Sequence, residues 1–261
     1  MTAASAPLKV FITGASSGLG AALAAHYGVR GAVLGLAARR ADKLAEVAGA
    51  LETPSTVYAL DVADRSALAA AAADFCSRHG TPDIVIANAG ISVATHCGSV
   101  ADLDALERVL RTNVTGLAAT LAPFVEPMRS RGSGTLAGIA SVAGFRGLPG
   151  SGAYSASKAA AINWLEALRV ELHGSGVRVV TVCPGYIETP MTEVNRFPMP
   201  FLISAEDAAW RIARAIDSRR SLAVLPWQMR LTFAFLRRAP NWMFDRIFAC
   251  TPRKPRAPRI P

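Results

Sequence analysis

Three side chains in one short stretch have the types and spacing for proton transfer at a carbonyl. They are Ser141, Tyr154 and Lys158, within SVAGFRGLPGSGAYSASK. Reduction of a carbonyl needs a hydride at carbon and a proton at oxygen. A phenol can give that proton. In the reverse direction it must take the proton back, which an ordinary pKa of about 10 makes hard near neutrality. A neighbouring cation favours the phenolate and lowers that pKa. Tyr154 and Lys158 are four apart, so on a helix they share a face. Ser141 closes the preceding strand pattern and can hydrogen-bond the same substrate oxygen.

A second motif, TGASSGLG, runs from Thr13 to Gly20. Gly14, Gly18 and Gly20 follow an apolar run and open an alanine-rich helical one. Without side chains they let the backbone turn tightly and bring a helix N-terminus close to a pyrophosphate, where free N–H groups and the helix dipole favour anions. Ser16, Ser17 and Leu19 belong to the same turn.

The elements that must position these groups alternate along the first 220 or so residues. Strands are predicted at Lys9–Thr13, Ala32–Ala38, Thr56–Val62, Asp83–Gly90, Gly134–Ser141, Val177–Gly185 and Leu222–Pro226. Helices are predicted at Leu19–Tyr27, Asp42–Leu51, Ser66–Arg78, Asp102–Phe124, Tyr154–His173 and Ala205–Ile216. Asp64 and Ser204 are suited to N-cap two of them. Apolar strands alternating with helices imply a parallel sheet covered on both faces. The expected fold class is therefore α/β, one doubly wound sheet. Thr192–Ile203, with two prolines and two phenylalanines, interrupts the rhythm and reads as a loop over a substrate crevice or as a plain surface connection.

TGxxxGxG is the spacing of the short-chain dehydrogenase/reductase family, and the chain resembles that family over about its first 225 residues. Asp61-Val62, the NAG of Asn88, Ala89 and Gly90, Tyr154-x-x-x-Lys158 and Pro184-Gly185 follow in the family's order. The resemblance implies a Rossmann-type sheet of order 3-2-1-4-5-6-7 and NAD(P)-dependent oxidation or reduction. It implies that Asp61 and Val62 meet the adenine and that Asn88–Gly90 pass beside the ribose. Ile187 and Thr189, after Pro184-Gly185, would hold the nicotinamide carboxamide. Asn113 would complete a tetrad by binding a water that relays protons to Lys158. Relatives assemble as homodimers or homotetramers, which is the oligomer expected here.

The end of the second strand separates the two cofactors. An acid there suits the ribose hydroxyls of NAD; an arginine suits the 2′-phosphate of NADP. Ala37-Ala38-Arg39-Arg40 has no acid before Asp42. Arg39 can pair with a phosphate through charged hydrogen bonds. NADP(H) is the expected cofactor, resting on Arg39, with Arg40 read as a helper or a solvated helix-start charge.

Val142, Phe145, Leu148, Tyr186, Met191, Phe197 and Phe201 are candidate pocket walls for an apolar ketone, aldehyde or alcohol. Two alternatives stand beside this reading. One is a 3-oxoacyl thioester reductase acting on a carrier protein or coenzyme A. The other is a non-catalytic, NADP-sensing or membrane-associated binding protein.

A hydrophobic content of 51% over 261 residues is ample for one buried core. Residues 1–225 are read as the dinucleotide-binding and catalytic domain and 226–261 as its helical C-terminal extension. The extension carries eight basic residues against one acid, +7 of the chain's net +9. The basicity therefore belongs to the tail rather than to a nucleic-acid surface on the fold, and no nucleic acid is expected. The four cysteines and four histidines show no metal-like spacing, so no metal is expected and the cytoplasm is the expected compartment. No secretory pattern is read at the N-terminus and no uncharged 18-residue apolar run exists.

In the extension, Trp227–Arg238 and Asn241–Ala249 are predicted helices, with Asn241 as N-cap. Their large apolar groups and flanking arginines suit an interfacial membrane helix, an acidic partner, a lid or a subunit contact. The final TPRKPRAPRIP is expected to be disordered.

Overall fold

Strands that alternate large apolar side chains must bury both faces, and this chain supplies a layer of helices for each. The computed structural model describes residues 6–218 and 220–251. Its strands are β1 (Lys9–Thr13), β2 (Val33–Ala38), β3 (Ser55–Ala59), β4 (Ile84–Ala87), β5 (Gly134–Ile139), β6 (Val177–Pro184) and β7 (Leu222–Leu225). They form one parallel sheet in the expected order, β3-β2-β1-β4-β5-β6-β7.

Val10, Ile12, Leu34, Leu36, Ile84 and Ile86 face one layer, made by α1 (Gly18–Val29), α2 (Ala41–Gly49) and α8 (Ala205–Asp217). Phe11, Val85, Leu136 and Val179 face the other, made by α3 (Arg65–His79), α5 (Gly116–Arg131) and α6 (Gly152–Glu171). The period of two along β1 thus feeds both cores. Asp64 accepts from the N–H groups of Ser66 and Ala67, and Ser204 accepts from Asp207, as their sequence positions predict.

The helix predicted at Asp102–Phe124 is not continuous. A 3₁₀ turn at Val100–Asp102 leads into α4 (Leu103–Leu110), a π-helical turn follows at Arg111–Thr115, and α5 then runs past Pro123 and Pro127. It ends where Gly132 takes a left-handed conformation, φ 70°. A one-turn helix, α7 (Pro190–Glu193), begins just before the expected crevice loop. A bridge between Ile187 and Ile203 closes the base of that loop.

After β7, α9 (Trp227–Arg238) and α10 (Asn241–Phe248) turn back onto the body. Met229, Phe233, Leu236 and Phe244 pack with Ala140, Val142 and Cys183 in a third apolar cluster. Asn241 is not an N-cap. Pro240 holds that position, and Asn241 Oδ1 accepts a hydrogen bond from Arg146 instead. The terminal segment expected to be disordered lies, apart from Thr251, outside the described residues.

Candidate active site

All strands of a parallel sheet end on one edge, and the loops leaving β1 to β6 enclose a cleft of about 400 Å³ there. Each residue read as cofactor-binding lines it: Gly14, Ser16–Gly20, Arg39, Asp61, Val62, Asn88–Gly90, Tyr154, Lys158, Pro184, Gly185, Ile187 and Thr189.

The turn after β1 packs in a way that only glycine allows. Gly14 has φ 71°, and a Cβ on it would lie 2.8 Å from Ala89 Cα. A Cβ on Gly18 would lie 3.0 Å from Thr189 Cγ2. Asn88 Nδ2 braces the turn by donating to the carbonyls of Thr13 and Gly14, at 3.1 and 3.3 Å. Ser17 precedes α1 without a side-chain cap, so its hydroxyl leaves the first-turn N–H groups unclaimed. Uncapped amides at a helix start, beside two arginines, are the donor set for an anionic dinucleotide.

Arg40 is not a merely solvated charge. Its Nη2 donates to Ser17 Oγ at 2.7 Å and to Ser16 Oγ at 3.2 Å. Arg39 Nη1 lies 4.0 Å from Asp61 Oδ2, and Asp61 Oδ1 accepts from the N–H of Ala63 at 2.9 Å. Arg39 is therefore shared with an acid, whereas Arg40 grips the hydroxyls of the glycine turn.

At the other end of the cleft stand Ser141, Tyr154 and Lys158. Ser141 follows β5, and its Oγ accepts from the N–H of Ala143 at 3.2 Å. The same hydroxyl is in contact with the Tyr154 phenol and with the carbonyl of Pro184, 3.3 Å away. Lys158 Nζ donates to the carbonyl of Ile139 at 2.7 Å and lies 5.7 Å from the centre of the Tyr154 ring. Burial lowers the Lys158 ammonium to about 8. Burial also pushes the Tyr154 phenol up, and its hydrogen bond with Ser141 opposes this only in part. The depression of the phenol expected from Lys158 is thus not found here; burial sets the direction and Ser141 is what opposes it. Cys183 is buried near these groups, its thiol pushed up to about 12 by burial.

Asn113 is fully buried in the π-helical turn. Its Nδ2 donates to the carbonyl of Ile91 at 2.9 Å and to Ser157 Oγ at 3.0 Å, and its Oδ1 accepts from the N–H of Ile91 at 2.8 Å. Both amide hydrogens are committed, so the side chain fixes the loop after β4 to α6 and does not offer its N–H groups to a water. Gly90 stands next to both Asn113 and Lys158: a Cβ there would lie 3.3 and 3.6 Å from their side-chain oxygen and nitrogen.

The candidate substrate walls divide. Met191 lines the cleft itself. Val142, Phe145, Leu148 and Tyr186 join the third apolar cluster with Met229 and Phe233, and Phe197 stacks edge-on near Tyr186 at 6.2 Å. Phe201 belongs to neither group: it is exposed, with φ 59°. Thr192 was not foreseen. It lines the cleft and caps α7 reciprocally with Thr189, a signal present in Thr189-Pro190-x-Thr192.

The sequence model described as short chain dehydrogenase matches residues 9–198. The chain belongs to this family. It is an oxidoreductase of the short-chain dehydrogenase type. An uncharacterized oxidoreductase of Myxococcus xanthus is 38% identical over 240 residues, 90% of this chain and 93% of that one. The 2-dehydro-3-deoxy-L-rhamnonate dehydrogenase (NAD(+)) of a Sphingomonas species is 37% identical, covering 70% of this chain and 73% of its own. Among solved structures, a short-chain dehydrogenase from Streptomyces avermitilis superposes with a TM-score of 0.78 at 26% identity, covering 94% and 95% of the two chains.

Proposed function

We propose that this protein is an NADP(H)-dependent oxidoreductase that interconverts an apolar ketone or aldehyde and its alcohol. The observation that carries the reading is one cleft with arginines and uncapped helix amides at one end and Ser141, Tyr154 and Lys158 at the other. The first end suits a phosphorylated dinucleotide; the second suits a carbonyl oxygen.

When bound, the dinucleotide supplies or accepts the hydride. In reduction, the Ser141 hydroxyl orients the substrate oxygen and Tyr154 gives it the proton. Lys158, held by the Ile139 carbonyl, places a positive charge near the phenol and favours the phenolate that results. Asn113 acts as a positioning residue, fixing the loop after β4 against α6.

Arg40 and Arg39 support the 2′-phosphate preference. Arg40 donates to Ser17 Oγ, so the Ser17 hydroxyl keeps its own proton free to donate to a phosphate. Apolar chemistry at the substrate end is supported by the phenylalanines and methionine that pack with Ala140, Val142 and Tyr186, the first two flanking Ser141 in the chain.

The test is oxidation of NADPH and of NADH against a panel of aldehydes, diketones, cyclic ketones and 3-oxoacyl thioesters. Turnover of an apolar ketone or aldehyde with NADPH preferred is the expected result. Preference for NADH, or turnover confined to thioesters, would overturn the cofactor or the substrate assignment respectively.

A further inference from the structure

Helix α9 has two apolar faces where a surface helix needs one. Met229, Phe233 and Leu236 fill the inner stripe and are buried. On the opposite side Trp227, Leu231 and Phe235 follow at four-residue steps and are 62%, 61% and 63% exposed. Arg238 continues that outer stripe, and the exposed Arg230 and Arg237 flank it. On α10, Trp242 is 70% exposed, with Arg246 four residues on.

We infer that this surface docks on an anionic lipid bilayer. Peripheral binding that lasts needs two signals, apolar insertion and charge attraction, and both are present in one patch. Tryptophan seats at the headgroup boundary, and arginine keeps its charge there while its stem lies along acyl chains. The sequence from 226 to the C-terminus holds eight basic groups and one acid. That charge complements an anionic surface. It opposes a two-fold contact, which would bring two like-charged patches together. None of the described helices is long and apolar enough to cross a membrane, so the mode is peripheral.

The patch is fixed to the oxidoreductase body. Arg146, between Ser141 and Tyr154, donates to the carbonyls of Leu236 and Ala239 and to Asn241 Oδ1, and lies 4.1 Å over the Phe244 ring. Docking therefore anchors α9 and α10 without detaching them from the apolar cluster behind Ser141. The inference does not rest on the cofactor or substrate assigned to the cleft.

The test is co-sedimentation of the full chain with vesicles of phosphatidylcholine alone and of phosphatidylcholine mixed with phosphatidylglycerol. Binding about tenfold stronger on the mixed vesicles is expected, with a blue shift of tryptophan emission. Leu231→Ser with Phe235→Ser should abolish binding. Arg230→Gln with Arg237→Gln should abolish the preference for anionic lipid. These side chains point outward, and an unchanged melting temperature checks that the variants fold. Absence of sedimentation with either vesicle would overturn the inference. So would a dimer in sedimentation velocity that Leu231→Ser with Phe235→Ser dissociates, since it would assign the patch to a second copy. In the wild type, quenching of tryptophan by brominated lipid tests insertion without any variant.

Discussion

Arg40 lines the cleft and donates to the Ser17 hydroxyl at 2.7 Å. The neighbouring Arg39 instead faces Asp61 at 4.0 Å. The two adjacent arginines thus have different duties. Arg40→Gln is expected to raise the KM for NADPH by about tenfold or more and to leave that for NADH nearly unchanged. Arg39→Gln should have the smaller effect, since the Arg39 guanidinium faces Asp61 rather than the serines of the glycine turn. Steady-state kinetics with both nucleotides decide this, and an unaltered NADPH KM in Arg40→Gln would remove Arg40 from the account.

That division was invisible in the sequence, which shows only two consecutive arginines after a strand. Much else was legible. Val10, Phe11 and Ile12 alternate between two buried faces, so β1 and its partners could be read from period alone. The glycine turn and Tyr154-x-x-x-Lys158 lie where their spacing required. The break near Asn113 was not legible, because helical periodicity continues through Arg111–Thr115. Its π-helical turn coincides with tertiary bonds from Asn113 to Ile91 and Ser157, which no local pattern announces. Arg146 was missed for a related reason: its partners lie 90 to 95 residues downstream.

Lys158 gives the protein a pH signature. Its folded-state pKa, about 8, lies below the ordinary 10.5. Between those values the unfolded chain binds more protons, so this group makes stability rise with pH. Below 8 its burial penalty is full and constant. Urea unfolding of the wild type and Lys158→Met should show the wild type gaining relative to the variant as pH climbs from 8 toward 10.5. A pH-independent difference would contradict the buried ammonium. In kinetics, the upward-shifted Tyr154 phenol keeps its proton through neutrality, so alcohol oxidation should speed up with rising pH while reduction should not.

Arg146 couples the C-terminal helices to the loop between Ser141 and Tyr154. Arg146→Ala removes three hydrogen bonds and the contact over Phe244. A loss of about 2 kcal/mol in unfolding free energy is expected. The KM for an apolar carbonyl should rise severalfold with the NADPH KM unchanged, because Arg146 borders the apolar cluster and not the glycine turn. Arg146→Lys should not restore stability, since a single ammonium nitrogen replaces the two guanidinium nitrogens that reach these acceptors. Thermal melts and substrate titrations check both arms.

The central claim is that Tyr154 moves the proton in a cleft that also holds the nucleotide. Tyr154→Phe tests it most directly, with turnover and NADPH affinity measured on the same preparation. The account predicts a fall in kcat of about a thousandfold with NADPH binding retained. Turnover within about tenfold of the wild type would contradict it and assign the proton to another group.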